Sequence, residues 1–128
     1  MVMNRGDEII EQRTFNVTIT AEGFVHFKFK PDMFVELEDV LESYEIYKSL
    51  AEIKKRKVLI EFSKFTSVSN EGLKFSATSD LDSIAEAIVI NTLPQRITAR
   101  FYTKVNTKNH PVQYFSSKNE AINWLKNI

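Results

Sequence analysis

Val58-Leu59-Ile60-Glu61-Phe62-Ser63-Lys64-Phe65-Thr66-Ser67-Val68-Ser69-Asn70-Glu71-Gly72-Leu73 reads as a buried strand, a turn rich in hydroxyls and the opening of a helix. The nearly unbroken apolar run at its start suits a strand covered on both faces, as parallel sheets require. The Ser/Thr/Asn cluster that follows offers side-chain oxygens to the unpaired N–H groups of a helix start. Ligands of α/β domains gather at such strand-to-helix turns. Ser67, Ser69, Asn70, Glu71 and Gly72 are therefore the first candidate site.

Upstream of this stretch, residues 33–55 carry the helical period in Leu37, Val40, Leu41, Tyr44, Tyr47, Leu50 and Ile53. Acids crowd the first half and Lys54 to Lys57 close it, the polarity that the helix dipole favours. Before it, Phe15, Val17 and Ile19 alternate with Asn16, Thr18 and Thr20, and Val25, Phe27 and Phe29 alternate with His26, Lys28 and Lys30. Two such runs around Ala21-Glu22-Gly23 predict a hairpin with one wet face. Residues 1–13 are polar and mixed and are expected to be a flexible leader, with the domain spanning 14–128.

Downstream, a short helix is expected over 71–79 and a second buried strand over 85–90. Pro94 suits the start of an amphipathic helix over 95–105, where Ile97, Phe101 and Val105 recur every four residues. Arg96, Arg100 and Lys104 recur at the same interval and are read as the opposite, basic face. No acid occurs between Glu86 and Glu120, so that face has no partner nearby in sequence. Pro111 opens a last strand, Val112 to Phe115, fit for a sheet edge, and Ser117 to Glu120 form a capping box before a final helix. The order is β-β-α-β-α-β-α-β-α, which predicts one α/β domain with a mixed four- to five-stranded sheet under helices.

At 128 residues the chain suits one domain and can bury roughly two-thirds of its unfolded surface. Seventeen basic and seventeen acidic residues cancel, which argues against a nucleic-acid binder. Cysteine is absent, so a thiol nucleophile and a Cys-held metal are excluded. No stretch has the ~20 apolar residues of a membrane span, and no secretory signal pattern is present. A cytoplasmic location is the resulting expectation.

Catalytic chemistry finds little support. His26 is placed on the wet face of the hairpin and His110 in a loop, with no metal-ligand spacing between them. Three glycines cannot build a Gly-rich phosphate cradle, and no nucleophile elbow occurs. The expectation is a protein without enzymatic activity, metal or cofactor. The hydroxyls at 67–69 serve equally well as helix caps, and the basic row equally well as a solvated face or a partner of the acidic helix. The many Phe and Tyr at regular spacing are read as core.

The order of elements resembles the STAS fold of the SpoIIAA-like anti-sigma-factor antagonists. Glu61-Phe62-Ser63 stands where that family's strand ends and Gly72-Leu73 where its switch segment closes. Ser69, Asn70 and Glu71 take the places of its Asp, phospho-accepting Ser and following Ser. Asn70 has no hydroxyl to phosphorylate, which leaves Ser67 or Ser69 as the alternative acceptors beside a helix start. Ala87 to Ile90, Ala99-Arg100-Phe101-Tyr102, Pro111, Phe115-Ser116 and Glu120 to Leu125 look closer to uncharacterised bacterial members.

The resemblance implies a regulatory module that docks a protein partner, of the anti-sigma-factor kind, through residues 67–72. It also implies an alternative, a CRAL-TRIO-like carrier of a lipid or small anionic molecule held by Arg96, Arg100 and Lys104. An exposed hairpin edge offers a homodimer surface.

Overall fold

Phe15, Val17 and Ile19 point to one side of a strand and the polar residues between them to the other, and the hairpin they open is the start of the main sheet. The computed structural model describes residues 9–128. Its elements are β1 (Ile10–Glu11), β2 (Phe15–Ile19), β3 (Val25–Phe29), β4 (Phe34–Val35), α1 (Leu37–Leu50), β5 (Lys57–Phe62) and β6 (Ser67–Val68). They continue with α2 (Asn70–Thr78), β7 (Ala85–Val89), α3 (Leu93–Val105), β8 (Val112–Phe115) and α4 (Lys118–Lys126). The long elements follow the expected β-β-α-β-α-β-α-β-α order. Two-residue strands β1, β4 and β6 are added to it: β1 enlarges the sheet to six strands in the order β1-β2-β3-β5-β7-β8, and β4 and β6 form a separate pair.

β1 and β2 pair antiparallel, as do β2 and β3, whereas β3-β5, β5-β7 and β7-β8 are all parallel. Each parallel step moves one strand further in the same direction, so crossovers of one hand put α1, α2 and α3 on the same face. α4 follows the last strand, closes no crossover, and covers the other face by packing Ala121 and Leu125 onto Leu59, Ala85 and Ala87. The larger core lies under α1 and joins Phe15, Phe27 and Phe29 to Val40, Tyr44, Tyr47 and Val58. Strand β5 is buried at Val58 and Leu59 because helices cover both faces, as the apolar run predicts.

Two expectations, the span of the first helix and the exposure of His26, are corrected. The first helix runs from 37 to 50 rather than 33 to 55. Phe34 and Val35 pair instead with Ser67 and Val68, and Ile53 stands in solvent beyond the Ala51 cap. The leader's first eight residues lie outside the described residues, but Ile10 and Glu11 pair with Val17 and Asn16. That pairing covers the hairpin edge at Asn16 and Val17. His26 is not on a wet face: its strand lies inside the sheet, the residue is buried, and its Nε2 sits 3.0 Å from Glu61 Oε1.

Candidate functional site

The C-terminal halves of β5, β7 and β8 present Ile60, Phe62, Ile88 and Tyr114 to the face that carries α2 and α3, and Ile90, just past β7, joins them in the cleft lining. The two helices stand apart there and leave a mostly apolar cleft of about 380 Å³. One wall is the β6 turn and α2, with Phe65, Thr66, Ser67, Val68, Leu73 and Ser76. The other is α3, with Pro94, Gln95, Thr98, Ala99 and Tyr102. The cleft thus lies outside the carboxyl ends of parallel strands, where open α/β sheets bind ligands. A smaller apolar cavity of about 70 Å³ adjoins it and shares Ile60, Phe62, Val68, Leu73 and Ser76.

Two phenols mark the cleft. Burial pushes the Tyr102 hydroxyl well above its ordinary pKa, and the neighbouring Tyr114 and Tyr44 add to the shift. Burial and the charge of Glu86 push Tyr114 up to about 12. Both remain protonated donors at neutral pH. Neither hydroxyl is hydrogen-bonded to another described residue.

The turn is tied to the start of α3. Gln95 Nε2 donates to the carbonyls of Ser63 and Thr66 at 2.9 and 3.0 Å, and Asn91 Nδ2 donates to the Phe62 carbonyl at 2.7 Å. Phe65, between them, adopts a left-handed backbone with φ 60°. That conformation is rare for a bulky side chain and marks a position of strain.

Ser69 is the N-cap of α2, and its Oγ accepts the Gly72 N–H at 3.0 Å, so this hydroxyl is engaged in the cap. Gly72 is buried. A Cβ there would sit 3.1 Å from both Ser69 Oγ and Val40 Cγ2, so the glycine lets α2 approach α1. Ser67, Asn70 and Glu71 are exposed, and only Ser67 lines the cleft. The structure therefore places one candidate residue, Ser67, on the cleft rim and divides the others between capping, packing and exposure.

α3 departs from its expected orientation. Its buried residues are Ala99 and Tyr102, with Gln95 and Thr98 half-buried beside them. Leu93, Ile97, Phe101 and Val105 are exposed, Ile97 by 58% and Phe101 by 66%. Arg96, Arg100 and Lys104 are exposed too, one residue before Ile97, Phe101 and Val105, which is a rotation of only ~100°. The basic row lies beside the apolar row and not opposite it. Periodicity alone could not choose between faces, because the face that is buried mixes a glutamine and a threonine with one alanine and one tyrosine. No ion pair joins the three cations to α1 or to any other described acid.

A buried ion cluster behind α2 was not anticipated. Glu86 on β7 is 1% exposed, and Lys108 Nζ lies 2.6 Å from its Oε2. His110 Nε2 lies 2.5 Å from the same oxygen, and His110 Nδ1 is 3.6 Å from Asp80. The loop folds inward to deliver them, with Thr107 N donating to the Ala77 carbonyl at the end of α2. Burial would push the Glu86 carboxyl up, but the His110 hydrogen bond and the Lys108 charge hold it below its usual range. Lys108 also faces the Tyr44 ring at 5.8 Å. The clue in the sequence was an acid inside Ala85-Glu86-Ala87-Ile88-Val89, which a buried strand tolerates only with a partner.

His110 lies in a loop, as expected, with its ring turned inward between the carboxylates of Glu86 and Asp80. Among the described residues no group of three or more His, Asp or Glu is placed to hold a metal ion. No helix among them is long and apolar enough to cross a membrane.

A family model described as a domain of unknown function, DUF7793, matches residues 17–128. An uncharacterised protein of the DUF3478 family from Shewanella loihica PV-4, described as having a SpoIIAA-like fold, superposes with a TM-score of 0.54 at 19% identity. The match covers 87% of this chain and 91% of that one. The fold is thus SpoIIAA-like, as the element order implied. No curated protein matches the chain.

Proposed function

We propose that this chain, which belongs to the DUF7793 family, is a binding module whose α2–α3 cleft holds a small amphipathic molecule. The apolar body would lie on Ile60, Phe62, Ile88 and Ile90, and an oxygen acceptor on its head would meet the Tyr102 and Tyr114 hydroxyls. The observation that supports this reading is an apolar cleft holding two phenol donors with no hydrogen-bond partner among the described residues. Its volume, about 380 Å³, falls within the ~300–1,000 Å³ of small-molecule sites. The reading assigns no reaction to the protein.

Native mass spectrometry of freshly purified protein, with thermal shifts against medium-chain fatty acids, tests it. A retained or added ligand is expected to raise the melting temperature. Thr98→Trp, which fills the cleft from α3, is expected to remove the shift. A ligand-free mass together with no shift from any acyl ligand would count decisively against it.

A second reading, a regulatory module docking a protein partner, is favoured by the exposure of Asn70 and Glu71 at the start of α2, beside Ser67 on the cleft rim. A pull-down with Asn70→Asp and Glu71→Lys variants tests it. Partner recovery unchanged by both removes this reading without touching the first.

A further inference from the structure

The geometry points to α3 as an interfacial helix that seats the protein on an anionic lipid surface. This goes beyond the cleft reading and does not depend on what the cleft holds. Leu93, Ile97, Phe101 and Val105 form one exposed row along about 20 Å of helix, at four-residue steps. A water-facing helix normally turns such a row inward, but here the inward face is occupied by Gln95, Thr98, Ala99 and Tyr102.

Beside the apolar row runs the row of Arg96, Arg100 and Lys104, none of them ion-paired to a described residue. No acid occurs from 87 to 119, so the charges of α3 itself are all positive although the whole chain is neutral. Apolar side chains flanked by cations, on a helix of modest overall hydrophobicity, are the pattern of helices that lie in the headgroup region. Long cationic side chains there reach lipid phosphates while their stems rest among the acyl chains.

Phe65 adds to this footprint. It is 73% exposed, on the turn that Gln95 ties to the first turn of α3. It lines the cleft edge yet leaves most of its ring in solvent, on a left-handed backbone that a bulky side chain rarely adopts. An α3-to-α3 pairing of two copies would explain the apolar row. A two-fold interface, however, sets each basic row near its own copy, with like charges opposed. A nucleic acid would meet the cations and leave the apolar row in water. The lipid surface satisfies both rows.

The test is cosedimentation of the whole chain with vesicles of phosphatidylcholine alone and of phosphatidylcholine mixed with phosphatidylglycerol. Binding to the mixed vesicles, little to the neutral ones, and weakening with added salt are expected. Arg96→Glu with Arg100→Glu, and separately Ile97→Asp with Phe101→Asp, are each expected to lower binding at least tenfold, at roughly fivefold per cation removed. All four positions are exposed, so circular dichroism should show the folded spectrum unchanged. Trp124 lies on α4, on the opposite face, and brominated acyl chains should leave its emission unquenched. No binding to either vesicle, equal binding to both, or quenching of Trp124 overturns the inference. So does a dimer abolished by Phe101→Asp in protein that ignores vesicles.

Discussion

The Nζ atom of Lys108 lies 2.6 Å from a carboxylate oxygen of Glu86, with the two side chains 4% and 1% exposed. They lie 22 positions apart in the chain, and the pair fastens the loop after α3 to β7, an inner parallel strand beneath α2. The loop closes the end of the helical layer that frames the cleft. Much of what this layer does under perturbation follows from that contact.

Lys108→Met should destabilise the protein by about 3 kcal/mol, because it strands a buried carboxylate with only His110 beside it. The double variant Lys108→Met with Glu86→Gln removes the stranded charge and should recover most of the loss. Urea denaturation of the two variants measures both. A single variant no less stable than the parent would show that the ion pair is incidental.

Stability should form a plateau with pH and fall at both ends. Glu86 has a folded pKa held below the ordinary 4.5, so its contribution is full above that value and is lost as pH falls through the folded one. Glu61, lowered by the His26 hydrogen bond, adds to the same acid limb. Burial alone would lower Lys108, but Glu86 outweighs it and raises the ammonium above 10.5. Its contribution is therefore full below 10.5 and is lost as pH rises through the folded value. Melting temperature against pH checks this, and Glu86→Gln should make the acid limb shallower.

Ser69→Ala should cost about 1 kcal/mol by leaving the Gly72 N–H without its acceptor, while Ser69→Asp should retain the cap. Thermal unfolding separates the two. If Ser69→Ala leaves stability unchanged, the hydroxyl is not held by capping and a phosphorylation role regains ground.

Phe65→Asn should hold or raise stability, by up to ~1 kcal/mol, since asparagine tolerates the left-handed backbone at φ 60° better than phenylalanine. The same change should weaken vesicle binding. Melting curves beside vesicle sedimentation would show the trade. A clear loss of stability would mean that the exposed ring packs against something in solution.

Much of the architecture was legible because it is written in local periods. Alternation at 15–19 and 25–29 marked the hairpin, the run at 58–60 the doubly covered strand, Ser117 a helix start that the structure keeps, and Pro94 one that it keeps to within two residues. Beyond these, the sequence could be read only to the level of candidates. Ser69 and Gly72 look alike as site residues or as structural ones until Val40 is seen 3.1 Å from the missing Cβ.

By itself the sequence determined the order of the long strands and helices; that α1, α2 and α3 share a face follows from the strand order in the sheet, which the structure supplies. Only the tertiary structure decided how α3 is rolled on that face, that His110 and Lys108 turn inward to Glu86, and that a cleft opens between α2 and α3. The reason is physical. A helical or strand period reports which residues share a side, since it depends on neighbours along the chain. Which side meets the sheet depends on how volumes and charges from distant segments fit together, and Ala99 and Tyr102 fill that space where Ile97 and Phe101 do not.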